Sequence, residues 1–89
     1  MLFVVTMSWP VEKTAEVAAR AAKEFAKEPP EGVKYVGEYQ LLGRAQSVLI
    51  IEAPDTNAIM QIHVPYMDIS ECDWAPAMPV RDLLKSMGM

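Results

Sequence analysis

Few side chains in this 89-residue sequence could do acid–base, nucleophilic or metal chemistry, and their spacing limits that chemistry. His63 is the one histidine, so it is the natural candidate for a general base or a haem ligand near neutral pH. It follows Ile62 and stands four residues after Ile59, a helical register that predicts a partly exposed or cap-like position for the imidazole. With no second histidine or cysteine at ligand spacing, no zinc site is expected. Cys72, the one cysteine, lies between Glu71 and Asp73, which would raise rather than lower a thiol pKa. It reads as a small buried residue.

Asp68, Glu71 and Asp73 form an acidic group near the C-terminal end. On a strand Glu71 and Asp73 share a face, so they could bind a hard cation or act as paired acid and base. No glycine-containing calcium loop surrounds them, and charges on an edge strand commonly discourage further pairing. The solvated edge is the reading adopted, and no metal is expected. Trp9, Tyr35, Tyr39, Tyr66 and Trp74 offer large side chains with polar tips, suited to lining a ligand pocket between a sheet and its helices or to filling a core. Tyr35 and Tyr39 are expected on one strand face, with Glu38, Glu52 and Arg44 as the nearest polar groups. A desolvated carboxylate there could remove a proton from an acidic carbon.

The elements that must position these residues follow from patterning. Leu2 to Ser8 reads as a strand ending at Trp9-Pro10; Val11 to Lys27 as a helix with Val11, Ala15, Ala18, Ala22, Phe25 and Ala26 on its buried stripe. Pro29-Pro30-Glu31-Gly32 ends that helix. Val33 to Leu42 and Gln46 to Ala53 read as strands joined by Gly43-Arg44-Ala45. Asp55 is the expected N-cap of a short helix that buries Ile59 and Ile62 and stops at Pro65. Ile69 to Met78 is the last strand, and Val80 to Met87 a short helix with Val80, Leu83, Leu84 and Met87 on one face.

The order is β-α-β-β-α-β plus a tail, predicting one α+β domain with a ferredoxin-like antiparallel sheet and a short C-terminal helix. Right-handed crossovers put the first and third strands at the centre. These are the two runs that are apolar at odd and even positions alike, Leu2–Met7 and Val48–Ile51, as strands covered on both faces should be. Eighty-nine residues supply helices for one face only. The bare face therefore predicts a homodimer through the sheets, or a higher oligomer built from it, in the form of a dimeric α/β barrel. Val4, Val5, Leu49 and Ile50 should divide between the helix-facing and subunit-facing sides.

Composition bounds the partners. The formal net charge is −4 with a pI near 4.8, and the eight basic residues are scattered, which argues against nucleic acid. A chain 52% hydrophobic and 22% charged is ordinary for a globular protein. No cationic n-region precedes the apolar start, and Glu12 and Lys13 cut that run short, so neither a signal peptide nor a membrane span is expected. With a lone cysteine, a cytoplasmic location follows.

Met1 to Trp9, the Pro30-Glu31-Gly32-Val33 turn, Val48 to Ala53 before an Asp, and Pro65-Tyr66 resemble the domain-of-unknown-function family 3303 over nearly the whole chain. That resemblance implies a dimeric α/β barrel and a homodimer but supplies no catalytic residue. Met1-Leu2-Phe3, Val36-Gly37-Glu38-Tyr39 and Pro65-Tyr66-Met67 are also similar to muconolactone isomerases, which points to Glu38 and Tyr39 as candidates beside His63. The wider group includes cofactor-free monooxygenases and haem-degrading enzymes, and fold analogy chooses none of these chemistries. The first expectation is a homodimeric binding or structural module without a cofactor. The alternative is a cofactor-independent enzyme of the lactone isomerase or monooxygenase type acting on a small organic molecule.

Overall fold

In β1 (Leu2–Ser8) burial alternates: Phe3, Val5 and Met7 are buried, while Leu2, Val4, Thr6 and Ser8 are half-exposed. A computed structural model describes all residues, 1–89. After β1 the Trp9 indole N–H donates to Thr14 Oγ1 at 3.1 Å, and the Thr14 hydroxyl donates to the Val11 carbonyl at 2.7 Å. These bonds accompany a 3-10 turn over Val11–Lys13, so α1 (Thr14–Phe25) starts later than the apolar spacing predicts. It also ends sooner, at Phe25, because Pro29 and Pro30 lack the N–H groups that would bond to the Phe25 and Ala26 carbonyls.

β2 (Lys34–Gln40) and β3 (Gln46–Glu52) form a hairpin whose turn holds Gly43 at φ 85°, a left-handed conformation costly for other residues. Asp55 caps α2 (Thr56–His63) as expected, its carboxylate accepting from the Ala58 N–H at 3.0 Å. α2 stops at His63, ahead of Pro65 as expected, and Pro65 lies in the 3-10 turn that follows, Val64–Tyr66, at a first-turn position where its missing N–H is no loss. β4 (Glu71–Ala77) and α3 (Val80–Ser86) complete the chain.

The sheet order is β2-β3-β1-β4, with every neighbouring pair antiparallel. This α+β arrangement of four strands and three helices is compatible with a ferredoxin-like fold. The two doubly apolar runs are the central strands. Pro76 falls on edge strand β4, where a missing ladder donor is tolerated.

Two clusters form the core on the helix side of the sheet. One gathers Phe3, Val5, Leu49, Ile51 and Ala53 under Ala58 and Ile59 of α2. The other joins Met7, Trp9, Val17, Tyr66 and Ile69. Full burial of side chains such as Phe3, Ile51 and Ile59 stabilises the fold by about 1.5–3 kcal/mol each.

Helix α1 buries Val17 alone. The predicted stripe holds only in part: Val11 is exposed, whereas Ala18 and the partly exposed Phe25 face the sheet side together with Val17 and Ala21, which the stripe omitted. An alanine-rich helix has small residues on several faces, so its periodicity did not single out the side bearing Val17. Arg20 fastens this helix to the turn after α2, pairing with both oxygens of Asp68, with Glu16 and with the Pro65 carbonyl.

The other sheet face carries no helix. Across its middle runs the row Gly37, Ile50, Val4 and Ala75, followed by Tyr39, Val48, Thr6 and Asp73. Val4 and Ile50 thus stand on the bare side, whereas Val5 and Leu49 are buried under helices. No residue of α3 is buried; Val80 and Leu83 are 69% and 44% exposed. The radius of gyration is 14.4 Å, against about 12 Å for a compact chain of this length.

Candidate functional site

The site begins with one irregular residue. Tyr35 pairs with Ile51 and Gly37 with Ile50, leaving Val36 as the extra residue of a β-bulge in β2. Beyond the bulge the alternation changes phase. Glu38 pairs with Leu49 and lies on the helix side with Tyr35, although residues three apart fall on opposite faces of a regular strand.

Tyr39, opposite Val48, goes to the bare side. A Cβ added to Gly37 would come within 2.8 Å of Tyr39 Cε2, which places the Tyr39 ring over that glycine. Tyr35 and Tyr39 therefore do not share a strand face, contrary to the expectation from their spacing. Val36 itself resembles any other strand residue; the one marker the sequence offered for the bulge is Gly37 beside it, an isolated glycine within a strand pattern.

On the helix side a cavity of about 650 Å³ lies between the sheet and α1, at the seam of the two core clusters. Its floor includes Val5, Met7 and Leu49. Thr14, Val17, Ala18, Ala21, Glu24, Phe25 and Glu28 form the α1 wall and its continuation, a stripe at helical spacing. Gln61, Ile62 and His63 close it from α2. Phe25 meets Tyr35 edge to face, ring centres 5.4 Å apart, and so ties the end of α1 to β2. The mostly apolar lining with a few polar groups and the volume are of the kind that hold small molecules.

Of the candidate residues, the cavity brings together Trp9, Tyr35, Tyr66, Glu38 and His63, with Tyr39 bordering it while its ring covers Gly37. Trp74 lies outside, packed edge to face on Phe3 with ring centres 5.8 Å apart. Glu52 and Arg44 are also outside. Asp68 is taken up by Arg20, and Glu71 and Asp73 lie on the bare face of β4 opposite Ser8 and Thr6. No three potential metal-ligating side chains converge anywhere in the chain.

His63 is half-buried in the α2 wall, and its Nε2 is buried with no hydrogen-bond partner in the chain. The indole N–H of Trp9 is already committed to Thr14. Burial pushes the Tyr66 hydroxyl up to about 12, with the charge of Glu24 adding to the effect. Burial likewise raises Tyr35, helped by Glu38 and then Glu24. Both phenols are therefore neutral hydrogen-bonding groups at ordinary pH. Cys72 borders the cavity too, but burial and then Asp73 raise its pKa, which leaves it a poor nucleophile.

Residue-by-residue reading missed Glu24, Glu28 and Gln61. A signal for the first existed: Glu24 is three residues after Ala21 and seven after Val17, on the same helical face.

An antiparallel sheet with helices on one face and a ligand-sized cleft between them defines the class: a small α+β protein with a pocket between sheet and helix. Within it, this chain belongs to the family described as a domain of unknown function (DUF3303), whose match covers residues 1–88. No curated protein matches the chain. No helix is long and apolar enough to cross a membrane.

Proposed function

We propose that this protein is a binding module that holds a small, largely apolar molecule in the cavity between α1 and the sheet, and that it works as a homodimeric α/β barrel. The observation that carries the binding function is the 650 Å³ cavity itself, with tyrosines and carboxylates set among apolar residues.

The assembly draws on the bare sheet face. Val4, Ile50, Val48 and Leu2 form an apolar centre there, and Lys34, Glu52, Gln46, Ser8, Glu71 and Asp73 surround it by strand register. An apolar centre with a polar rim is the usual anatomy of a subunit contact. Two copies related by a two-fold axis would cover each other's sheets.

Isothermal titration calorimetry with 2-naphthylmethanol, an uncharged probe, tests the binding function. The wild-type protein should bind it, and Ala21→Phe, which fills the cavity from α1, should remove binding while the far-UV circular dichroism is kept. Absence of heat at millimolar probe, or equal binding by the filled variant, would overturn the reading.

A second reading, cofactor-independent catalysis, rests on Glu38 and His63 both bordering the cavity that holds Tyr35. A carboxylate or imidazole there could take a proton from the carbon next to a lactone carbonyl. Deuterium incorporation into a butenolide in heavy water, measured by proton NMR and lost in Glu38→Gln, would favour the enzyme over the module.

A further inference from the structure

The ionisable groups around the cavity are unevenly signed. Glu24, Glu28 and Glu38 border it, against Lys27 and His63. Lys27 is already paired with Glu24 at 2.8 Å, and Glu38 forms no ion pair. The bulge at Val36 turns Glu38 onto the helix side beside Tyr35, and Phe25 packs against the Tyr35 ring. Carboxylates beside aromatic rings attract a positive group twice, by direct charge and by the ring quadrupole. With Glu24 paired to Lys27, an anionic ligand would still meet the charges of Glu28 and Glu38 in the same space.

We propose that the cavity selects organic cations, a protonated amine on an apolar or aromatic body, with the ammonium seated by Tyr35 between Glu38 and Glu24 and the body over Val5, Leu49 and Phe25. This assignment rests on the cavity being a ligand site and adds the charge of the ligand. Burial is the main reason the Tyr35 pKa is raised, and the smaller contributions of Glu38 and then Glu24 agree with a shared field at that point.

Three probes of one shape separate charge from fit: 2-naphthylmethylamine, 2-naphthylmethanol and 2-naphthoate, titrated calorimetrically at neutral pH and low salt. The amine should bind about tenfold more tightly than the alcohol, and the carboxylate more weakly than either. Glu38→Gln, at an exposed position that tolerates the change, should weaken the amine about fivefold and leave the alcohol unaltered. Glu24→Gln provides a second, independent variant with the same expected direction, and added salt should narrow the gap between amine and alcohol. Equal binding of amine and alcohol, or an amine affinity unaffected by both variants, overturns the cation assignment while the cavity remains a ligand site. If none of the three binds, both fall together.

Discussion

At the scale of single residues, Arg20 shows how one side chain can hold a sparsely anchored helix. Its bond to Asp68 holds that carboxyl below the ordinary value of 3.8, so the pair favours the charged form in the folded state. The contribution to stability is complete above 3.8 and disappears as pH falls through the lowered folded-state value. Urea unfolding midpoints of wild type and Asp68→Asn should therefore differ at neutral pH, with wild type higher, and converge in strong acid. A gap that persists at the lowest pH would mean that the Arg20–Asp68 charge pair is not its source. Tyr66 answers to the opposite end of the scale. An absorbance titration should find its ionisation last, near 12, and Tyr66→Phe should remove that final step. Both groups were visible in the sequence, but their partners were not, because Arg20 and Asp68 are brought together only by the packing of α1 beside the turn after α2.

Elements were legible where local pattern and global arrangement agree. Asp55 was readable as a cap because an acidic residue directly before an apolar helical run satisfies exposed N–H groups whatever lies around it. Asp55→Ala should cost about 1 kcal/mol of unfolding free energy by chemical denaturation. The central position of β1 and β3 was readable from their two-sided apolar character. By contrast, the bulge in β2 answers to its pairing with β3, and locally only the neighbouring Gly37 hints at it. Removing Val36 tests this: pairing of Tyr35, Gly37 and Glu38 with Ile51, Ile50 and Leu49 is already that of a regular ladder without it. The deletion variant should keep Glu38 on the helix side, and cross-strand NOEs between β2 and β3 should retain the same partners. A shift of those partners by one residue would show that the bulge itself sets the register.

For the molecule as a whole, the division of Val4 and Ile50 from Val5 and Leu49 gives the sheet an inner and an outer apolar surface. In an isologous contact each substitution enters twice, so Val4→Glu would place a carboxylate from each copy in a desolvated interface. Sedimentation velocity at micromolar concentration should give a dimer for the wild type and a monomer for Val4→Glu. A wild-type species of 9.9 kDa would refute the assembly. The cavity could not have been deduced from composition, because its volume depends on how far α1 stands from the sheet. That distance is set by few attachments: the Trp9 bond to Thr14, Val17, the Arg20 network and the contact of Phe25 with Tyr35.

The division of the core into two clusters has a kinetic side. The sheet and α2 share one cluster, whereas α1 is joined to the other by a single buried residue. Opening α1 therefore exposes little apolar surface and need not wait for global unfolding. In hydrogen–deuterium exchange, amides of Ala18–Phe25 should lose protection earlier than those of β1 and β3, and an occupant of the cavity should slow them selectively. The helix that walls the cavity would then be the most readily opened part of the molecule, with the sheet remaining closed behind it.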